Sequence, residues 1–337
     1  MFGSLSRPTA GRASRMLMWS AWGLAIACVI LTMRAQNFQI TVLGTAMVFA
    51  IASVGVGLQL KTLRLLSLGQ GSMMAVGAYS QLILAGSYHW PFLSALAASL
   101  LIAVAIGSVL GLASTRVRSH YYILLTAAVQ AIGAACLTGL ASLTGGAQGS
   151  TTPSSISLFG MHIGTIKDLS VLAAVVAVAV AVLADLIYRS ALGRRLIAAG
   201  ASPALARGSG ISVVGANICG NVLLAFFGAL AGGLYAPLIG YLGPEEFALS
   251  LSITCVLVGV VATQWSFAMA IVAAVALQEL TQSLSSVGSL SGLVYGAIIV
   301  VVGIALAVRV SGRGAGLRLR RPAASRTTPP SRISVAP

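Results

Sequence analysis

Long apolar segments, interrupted by short polar stretches, make up most of this chain of 337 residues. A helix needs about 20 apolar residues to cross the hydrocarbon core of a bilayer. Ten segments approach or reach that length, at residues 16–33, 40–60, 65–86, 91–114, 121–143, 169–188, 213–236, 247–261, 265–284 and 293–308. The pattern predicts an all-α integral membrane protein, a polytopic helical bundle of about ten transmembrane segments.

The basic residues between these segments predict the orientation of the chain. The cytoplasmic flanks of transmembrane helices are enriched in lysine and arginine. With the N-terminus inside, alternation leaves only Arg34 and Lys167 on the exterior face. Both termini are therefore expected to be cytoplasmic. The resulting organisation is a basic N-terminus (1–15), a transmembrane domain (16–310) and a basic, proline-rich tail (311–337) that is predicted to be disordered.

Composition limits the classes of function that are open to this chain. Apolar residues make up 58% of it and charged residues only 7%, and the mean hydropathy is +0.99. Soluble domains carry about 25% charged residues. The net charge of +15 is distributed between apolar segments, so it reflects membrane topology and no nucleic-acid binding is expected.

No pattern of catalytic or metal-binding residues is present in the sequence. Neither of the two lysines, Lys61 and Lys167, follows a glycine, so the chain lacks a glycine-rich nucleotide-binding loop. Five acids, three scattered histidines and four cysteines within apolar segments complete the reactive residues. We expect neither an enzyme nor a metal site. ATP hydrolysis, if it powers this protein, must occur on another chain.

The loop 189–212 is the longest polar, basic interruption between apolar segments. Leu192, Leu196 and Ala199 fall on one face of a helix that is expected to stop at Gly200. Ser202-Pro203 then has the form of an N-cap followed by a first-turn proline, and a second helix should end at Gly208 or Gly210. A structured basic loop suits a soluble partner. A solvated loop whose arginines only determine topology is the alternative.

Polar residues inside the apolar segments are candidates for a solute path, because such groups are costly in a membrane. The polar segment 67–72 contains Ser67, Gly69, Gln70, Gly71 and Ser72. Irregular backbone at membrane depth must be buried in protein or line a watery cavity. Close packing of helices through small residues is the alternative explanation.

Three more polar residues within apolar segments need partners. Gln130 lies in the fifth segment, and a structural partner is the more common arrangement. Glu279, in the ninth, either contacts solute or is satisfied by Gln282 and Ser283, three and four residues further along its helix. Asp185 has a simpler explanation, since Arg189 follows it at i+4.

Several stretches, taken in order, resemble the LivM-type permease subunits of ABC importers for branched-chain amino acids. The resemblance covers about residues 40–315. The stretches that resemble the family are residues 65–71 (LLSLGQG), 77–79 (GAY), 121–126 (YYILLT), 143–149 (LTGGAQG), 193–211, 228–236 (GALAGGLYA), Pro244 and Glu245 with Phe247, and 278–280 (QEL).

The resemblance implies a bacterial inner-membrane subunit, surrounded by lipid, that pairs with a second, homologous permease. It further implies two cytoplasmic ATPases, which would bind ATP and magnesium, a periplasmic or extracellular solute-binding protein, and no cofactor on this chain. The loop 189–212 matches the segment seated on the ATPase, with Gly193, Arg194, Arg195, Ser202, Pro203, Arg207 and Gly210 as candidate coupling residues. Gln148, Glu245 and Glu246 are candidates for docking the binding protein.

The resulting prediction is a non-catalytic permease that moves a branched-chain or related small amino acid by alternating access. Urea or short amides are the next solutes in line. A stand-alone carrier or channel for small polar solutes is the alternative from another class, and it predicts transport by this chain alone without ATP. The small number of intramembrane acids, bases and histidines weakens the case for a proton-coupled carrier.

Overall fold

The computed structural model describes residues 22–23, 37–117, 119–151, 156–158, 161–264 and 266–285. The basic N-terminus 1–15, the tail 311–337 and the tenth predicted segment lie outside these ranges, as does the first segment except for residues 22 and 23. Each of the other predicted segments contains a helix.

Helices account for most of the described residues. They are α1 (Asn37–Leu63), α2 (Gln70–Gln81), α3 (Phe92–Ser114), α4 (Ser119–Gly139), α5 (Ala141–Thr144), α6 (Ile166–Arg189), α7 (Ala191–Ala201), α8 (Pro203–Gly208), α9 (Val213–Ile239), α10 (Leu249–Gln264) and α11 (Ala268–Ser285). A π-helix, Leu82–Ser87, continues α2, and short 3₁₀ turns occur at Gly146–Gln148 and Pro244–Phe247.

Five of these helices, α1, α3, α4, α6 and α9, are long and apolar enough to cross a membrane. The helices α10 and α11 are apolar but shorter. The prediction of a helical membrane protein is therefore confirmed. The count of ten segments and the cytoplasmic position of the termini stay predictions.

The centre of the bundle is formed by α1 and α9. In the most apolar part of each helix, 89% of the α1 residues and 72% of the α9 residues are buried, against 33% for α3 and 17% for α4. Around α1 pack α6, α9, α10 and α11, whereas α9 also contacts α2 and α3. Most of α3 and α4 is thus left to face lipid or another subunit.

The crossing of α2 and α9 depends on small residues. A Cβ atom on Gly77 would lie 2.0 Å from the carbonyl oxygen of Ala229, and one on Gly232 would lie 1.8 Å from that of Met74. Only glycine allows the two backbones to approach this closely. The small-residue spacing at 228–232 therefore serves helix packing.

The polar segment 67–72 spans the irregular start of α2. The backbone leaves α1 after Leu63, has a positive φ of 57° at Arg64 and becomes helical again only at Gln70. The third predicted segment was expected to begin at residue 65. The helix begins later because residues 64–69 are not helical, and within them the Leu68 N–H donates to Thr126 Oγ1 of α4.

Short strands join parts of the chain that are distant in sequence. Strands β1 (Ser150–Thr151) and β4 (Tyr241–Leu242) pair antiparallel, with Ser150 opposite Leu242. Strands β2 (Ile156–Leu158) and β3 (Met161–Ile163) form a second antiparallel pair. In the region 144–168, between the fifth and sixth predicted segments, β1 thus pairs with the turn after α9, whereas β2 and β3 pair with each other.

Candidate functional site

Side chains from other helices accept hydrogen bonds from the backbone at the start of α2. The first turn of a helix leaves backbone N–H groups without intrahelical partners. Three N–H groups here donate to side chains of α4 and α10: Leu68 to Thr126 Oγ1 at 3.0 Å, Gly71 to Ser252 Oγ at 2.8 Å, and Ser72 to Gln130 Oε1 at 2.6 Å. We call the segment 67–72 with Thr126, Gln130 and Ser252 the polar junction.

Gln130 connects most of the polar junction. Its Oε1 also accepts a hydrogen bond from Ser252 Oγ at 3.1 Å, and its Nε2 donates to the carbonyl oxygen of Phe247. One amide therefore joins α2, α4 and α10 to the 3₁₀ turn after α9. The structure thus brings Gln130 together with the residues predicted from the segment 67–72.

Gln70 lies at mid-height in the bundle. Its Nε2 donates to the carbonyl oxygen of Ala52 at 2.9 Å and lies 3.0 Å from where a Cβ atom on Gly228 would be. Ala52 and Gly228 are near the middle of α1 and α9 respectively. The Oε1 of Gln70 is buried without a hydrogen-bond partner among the described residues. It is therefore an acceptor available at the predicted membrane depth.

Glu279 lies away from the polar junction. Its side chain is exposed on α11, whose main contacts are with α1, α6 and α10. Ser283 donates its hydroxyl to the backbone carbonyl of Glu279. The exposed position of Glu279 adds no support for a contact with solute, and that contact stays a prediction.

A second buried polar cluster was not predicted from the sequence. Gln59 Nε2 donates to Tyr122 Oη at 3.0 Å and to Asn221 Oδ1 at 3.2 Å, and the Tyr122 hydroxyl donates to Asn221 Oδ1 at 2.6 Å. This Gln59 cluster links α1, α4 and α9. The available signal was the presence of an amide within each of two apolar segments, since such a group needs a partner there.

The loop 189–212 folds into α7 and α8 through two serine caps. Ser190 Oγ accepts a hydrogen bond from the Gly193 N–H at 3.3 Å, and Ser202 Oγ accepts one from the Leu205 N–H at 3.4 Å. Pro203 occupies the first position of α8. The predicted Ser202-Pro203 helix start is confirmed. Gly210, with φ of 75°, follows the end of α8.

One face of α7 packs on the end of the bundle. Leu196 and Ala199 are each 1% exposed and pack with Leu63 and Ala216. Leu192, expected on the same face, is 39% exposed. The helix is rotated relative to the prediction because a Cβ atom on Gly193 would lie 2.3 Å from the Ile187 carbonyl oxygen, which places Gly193 against the end of α6.

The opposite face of the two loop helices is basic and partly apolar. Arg194, Arg195 and Arg207 are exposed, and Leu205 is 74% exposed. The guanidinium of Arg194 donates to the Arg189 carbonyl oxygen at 3.0 Å. An exposed leucine among cationic side chains suits an acidic or mixed protein surface. We call this set of four residues the loop face.

Ionic and aromatic contacts hold the bundle beneath α7. The Lys61 ammonium lies 4.7 Å from the ring centroid of Tyr188 and 4.9 Å from that of Phe267, within the range of cation–π attraction. Asp185 interacts electrostatically with Arg189, as the i+4 spacing predicts, and with Lys61. These neighbouring charges support a structural role for Asp185, which stays a prediction.

The other end of α9 carries the residues predicted to dock a binding protein. The 27 residues of α9 separate the two ends by about 40 Å at 1.5 Å per residue. Gln148 and Glu245 are both exposed, and the carbonyl oxygen of Gln148 accepts a hydrogen bond from the Tyr241 hydroxyl. The β1–β4 pairing therefore brings these two residues to the same end of the bundle.

Glu246 differs from its neighbour because it is half-buried beside Tyr235. Burial raises the pKa of Glu246 above its ordinary value, while a hydrogen bond with Tyr235 acts in the opposite direction. Its Oε2 is buried without a hydrogen-bond partner among the described residues. Glu246 is thus separated in environment from the exposed Glu245.

The family model and the similar proteins identify the same protein family. Residues 38–303 match the family model described as the branched-chain amino acid transport system / permease component. The high-affinity branched-chain amino acid transport system permease proteins LivM of Salmonella typhimurium and Escherichia coli are each 25% identical to this chain over 260 residues. No solved structure matches it significantly.

The alignment with each LivM protein covers 69% of this chain and 61% of the relative. The chain thus matches less than two thirds of the length of these relatives. With its apolar helices, the family match makes it a multi-pass protein of the inner membrane. Because the family model spans most of its length, the chain belongs to this permease family.

Proposed function

We propose that this chain is the transmembrane permease subunit of an ATP-binding-cassette importer for branched-chain or related small amino acids. The family match supports a transport component, and the LivM relatives support the solute class. The observation that carries the proposal is the loop face, a basic surface on helices packed firmly against a bundle whose sequence contains no nucleotide-binding motif.

The proposed assembly contains this chain, a second homologous permease, two cytoplasmic ATPases and an exterior solute-binding protein. ATP and magnesium bind to the ATPases, and this chain acts without catalysis or a cofactor of its own. Ten segments with both termini in the cytoplasm place the loop face inside and Gln148, Glu245 and Glu246 outside. A reporter tag inserted into the loop 189–212 tests this topology, and an exterior signal would contradict it.

Energy enters the bundle through the contact between α7 and α1. A Cβ atom on Gly200 would lie 2.4 Å from the carbonyl oxygen of Thr62, so the backbone of α7 is in direct contact with the end of α1. The Gln59 cluster lies near that end and joins α1 to α4 and α9. Closure of the ATPases then moves the loop face, and the connected helices open the exterior side.

In this proposal, the polar junction forms the part of the solute path that lies halfway along the bundle. Its backbone N–H groups are paired, so most of its polarity holds α2 in position. Gln70 Oε1 is the group that remains available to a solute. In alternating access, rearrangement of the contacts that Gln130 makes with Ser72 and Phe247 would expose further groups in turn.

Purification and reconstitution test the function directly. A tagged chain purified from its native membranes should bring with it a P-loop ATPase and a second permease. In proteoliposomes with the solute-binding protein, that complex should take up labelled leucine only when ATP is present. Uptake by this chain alone, without ATP, would establish the stand-alone carrier or channel instead. Uptake of labelled urea in preference to leucine would move the solute to short amides.

A further inference from the structure

Four aromatic rings pack together beside the 3₁₀ turn that carries Glu246, at the end of the bundle opposite the loop face. The ring centroids of Tyr79 and Tyr235 lie 5.8 Å and 5.9 Å from that of Phe247, and Phe49 stacks on Tyr235 at 6.1 Å. Glu246 precedes Phe247 in the chain and hydrogen bonds to Tyr235. The carboxylate therefore lies beside the rings rather than out in solvent.

Two oxygen atoms in this group lack hydrogen-bond partners among the described residues. One is Glu246 Oε2 and the other is the hydroxyl of Tyr79, whose side chain is only 4% exposed. Both residues neighbour Phe247, because Glu246 precedes it in the chain and the Tyr79 ring packs against its ring, and Tyr79 interacts electrostatically with Glu246. Buried polar atoms in native proteins are nearly always paired, and an exception calls for a missing partner.

The missing partner should be cationic. Among the described basic residues, none contributes to the electrostatic environment of Glu246. A cation would pair with the carboxylate and favour its charged form. A primary ammonium group has three N–H donors, enough to satisfy Glu246 Oε2 and the Tyr79 oxygen together.

We propose that Glu246, Tyr79 and Tyr235 form an outer binding site for the ammonium group of the transported amino acid. The proposal rests on the function argued above and narrows it to solutes with a primary amine. Urea and short amides carry no positive charge, so they lack the main attraction that this site provides.

The site is connected to the polar junction through a single residue. The backbone carbonyl oxygen of Phe247, next to Glu246, accepts a hydrogen bond from Gln130. The same amide accepts the Ser72 N–H through its Oε1. An ammonium group that draws Glu246 inward would therefore act on the 3₁₀ turn that Gln130 ties to α2. Gln130 thus links the amine site to the polar junction.

Ligand-induced thermal stabilisation of the purified full chain tests the site without relying on transport. The probes are L-leucine, 3-methylbutylamine, which keeps the amine but lacks the carboxylate, and 4-methylpentanoate, which keeps the carboxylate but lacks the amine. Both amines should raise the melting temperature in a saturable way, and 4-methylpentanoate should not. Glu246→Gln should weaken amine binding at least tenfold. Tyr79→Phe should weaken it several-fold and serves if Glu246→Gln does not fold.

Asp168→Asn is the matched control, because Asp168 is an exposed acid in the first turn of α6 outside the site. It should bind amines like the wild type. Equal stabilisation by 4-methylpentanoate, or amine binding unchanged in both Glu246→Gln and Tyr79→Phe, would overturn the site. The site would also be overturned if sodium chloride raised the melting temperature more than choline chloride did and displaced the amines. That result would mean that the site binds a metal cation.

The site and the proposed function fail in different ways. If ATP-driven leucine uptake occurs but neither amine stabilises the wild-type chain, the site is wrong and the function stands. If the amines bind and binding is lost in Glu246→Gln, but no ATP-dependent uptake is found, the site stands and the importer function is contradicted.

Discussion

Gly200 in α7 and Thr62 at the end of α1 lie so close that a Cβ atom on Gly200 would be 2.4 Å from the Thr62 carbonyl oxygen. The obstructing atom belongs to the backbone, so a side chain at residue 200 must displace one helix from the other. The contact between these two residues seats the loop face on the bundle.

Gly200→Ala should therefore loosen the seating of α7 and lower the coupling of ATP hydrolysis to uptake. Overpacking of this kind costs about 1–3 kcal/mol. We expect uptake per ATP hydrolysed to fall several-fold in proteoliposomes. Gly208→Ala is the matched control, because nothing lies within 4 Å of a Cβ atom there, and it should transport normally. Equal behaviour of the two variants would contradict the seating role.

Removal of two charges from the loop face tests its contact with the ATPase. Arg194→Ala combined with Arg195→Ala should leave folding intact, because both side chains are exposed. Loss of about 1.4 kcal/mol of binding would weaken association with the ATPase tenfold. We expect ATP hydrolysis that no longer drives uptake. Arg116→Ala, which removes an exposed cation from another loop, should have little effect. Unchanged transport in the double variant would count against coupling through the loop face.

Local features of the loop 189–212 could be predicted because they depend on adjacent residues. A serine cap acts on an N–H group three residues away, so Ser202-Pro203 is sufficient to mark the start of α8. The rotation of α7 is different. Its buried side is selected by close approaches of Gly193 to α6 and of Gly200 to α1. The apolar pattern included Leu192 because it contains no information on which neighbour lies nearest.

The polar junction shows the same division. Segment 67–72 and Gln130 could be identified separately as polar groups in apolar surroundings. Their contact depends on how α4 packs beside α2. The participation of Ser252, which donates to Gln130, depends on the position of α10 and has no local signature. Likewise, Glu245 and Glu246 are equivalent in sequence, and only the turn after α9 directs one outward and the other toward Tyr235.

Gln130→Met tests whether the polar junction supports the bundle. The substitution nearly conserves volume but leaves the Ser72 N–H and the Phe247 carbonyl oxygen without their partner. Each unsatisfied buried group costs about 1–3 kcal/mol. We expect a clear drop in melting temperature of the purified chain. Gln39→Met, at an exposed position near the start of α1, is the control and should melt like the wild type. A Gln130→Met chain as stable as the control would show that these hydrogen bonds contribute little.

The pH dependence of stability tests the environment of Glu246. Burial raises the pKa of Glu246 above its ordinary value of 4.5, opposed by the weaker effect of the Tyr235 hydrogen bond, so the folded chain binds this proton more tightly than the unfolded chain. A raised carboxyl pKa disfavours the folded state once the group ionises. Wild-type stability should therefore fall relative to Glu246→Gln as pH rises from 4.5 through the raised pKa, and then level off. Melting curves of both chains, without amines, give this difference. A wild type that gains stability relative to Glu246→Gln over that range would mean that a cationic group already pairs with the carboxylate, and it would remove the physical basis of the amine site.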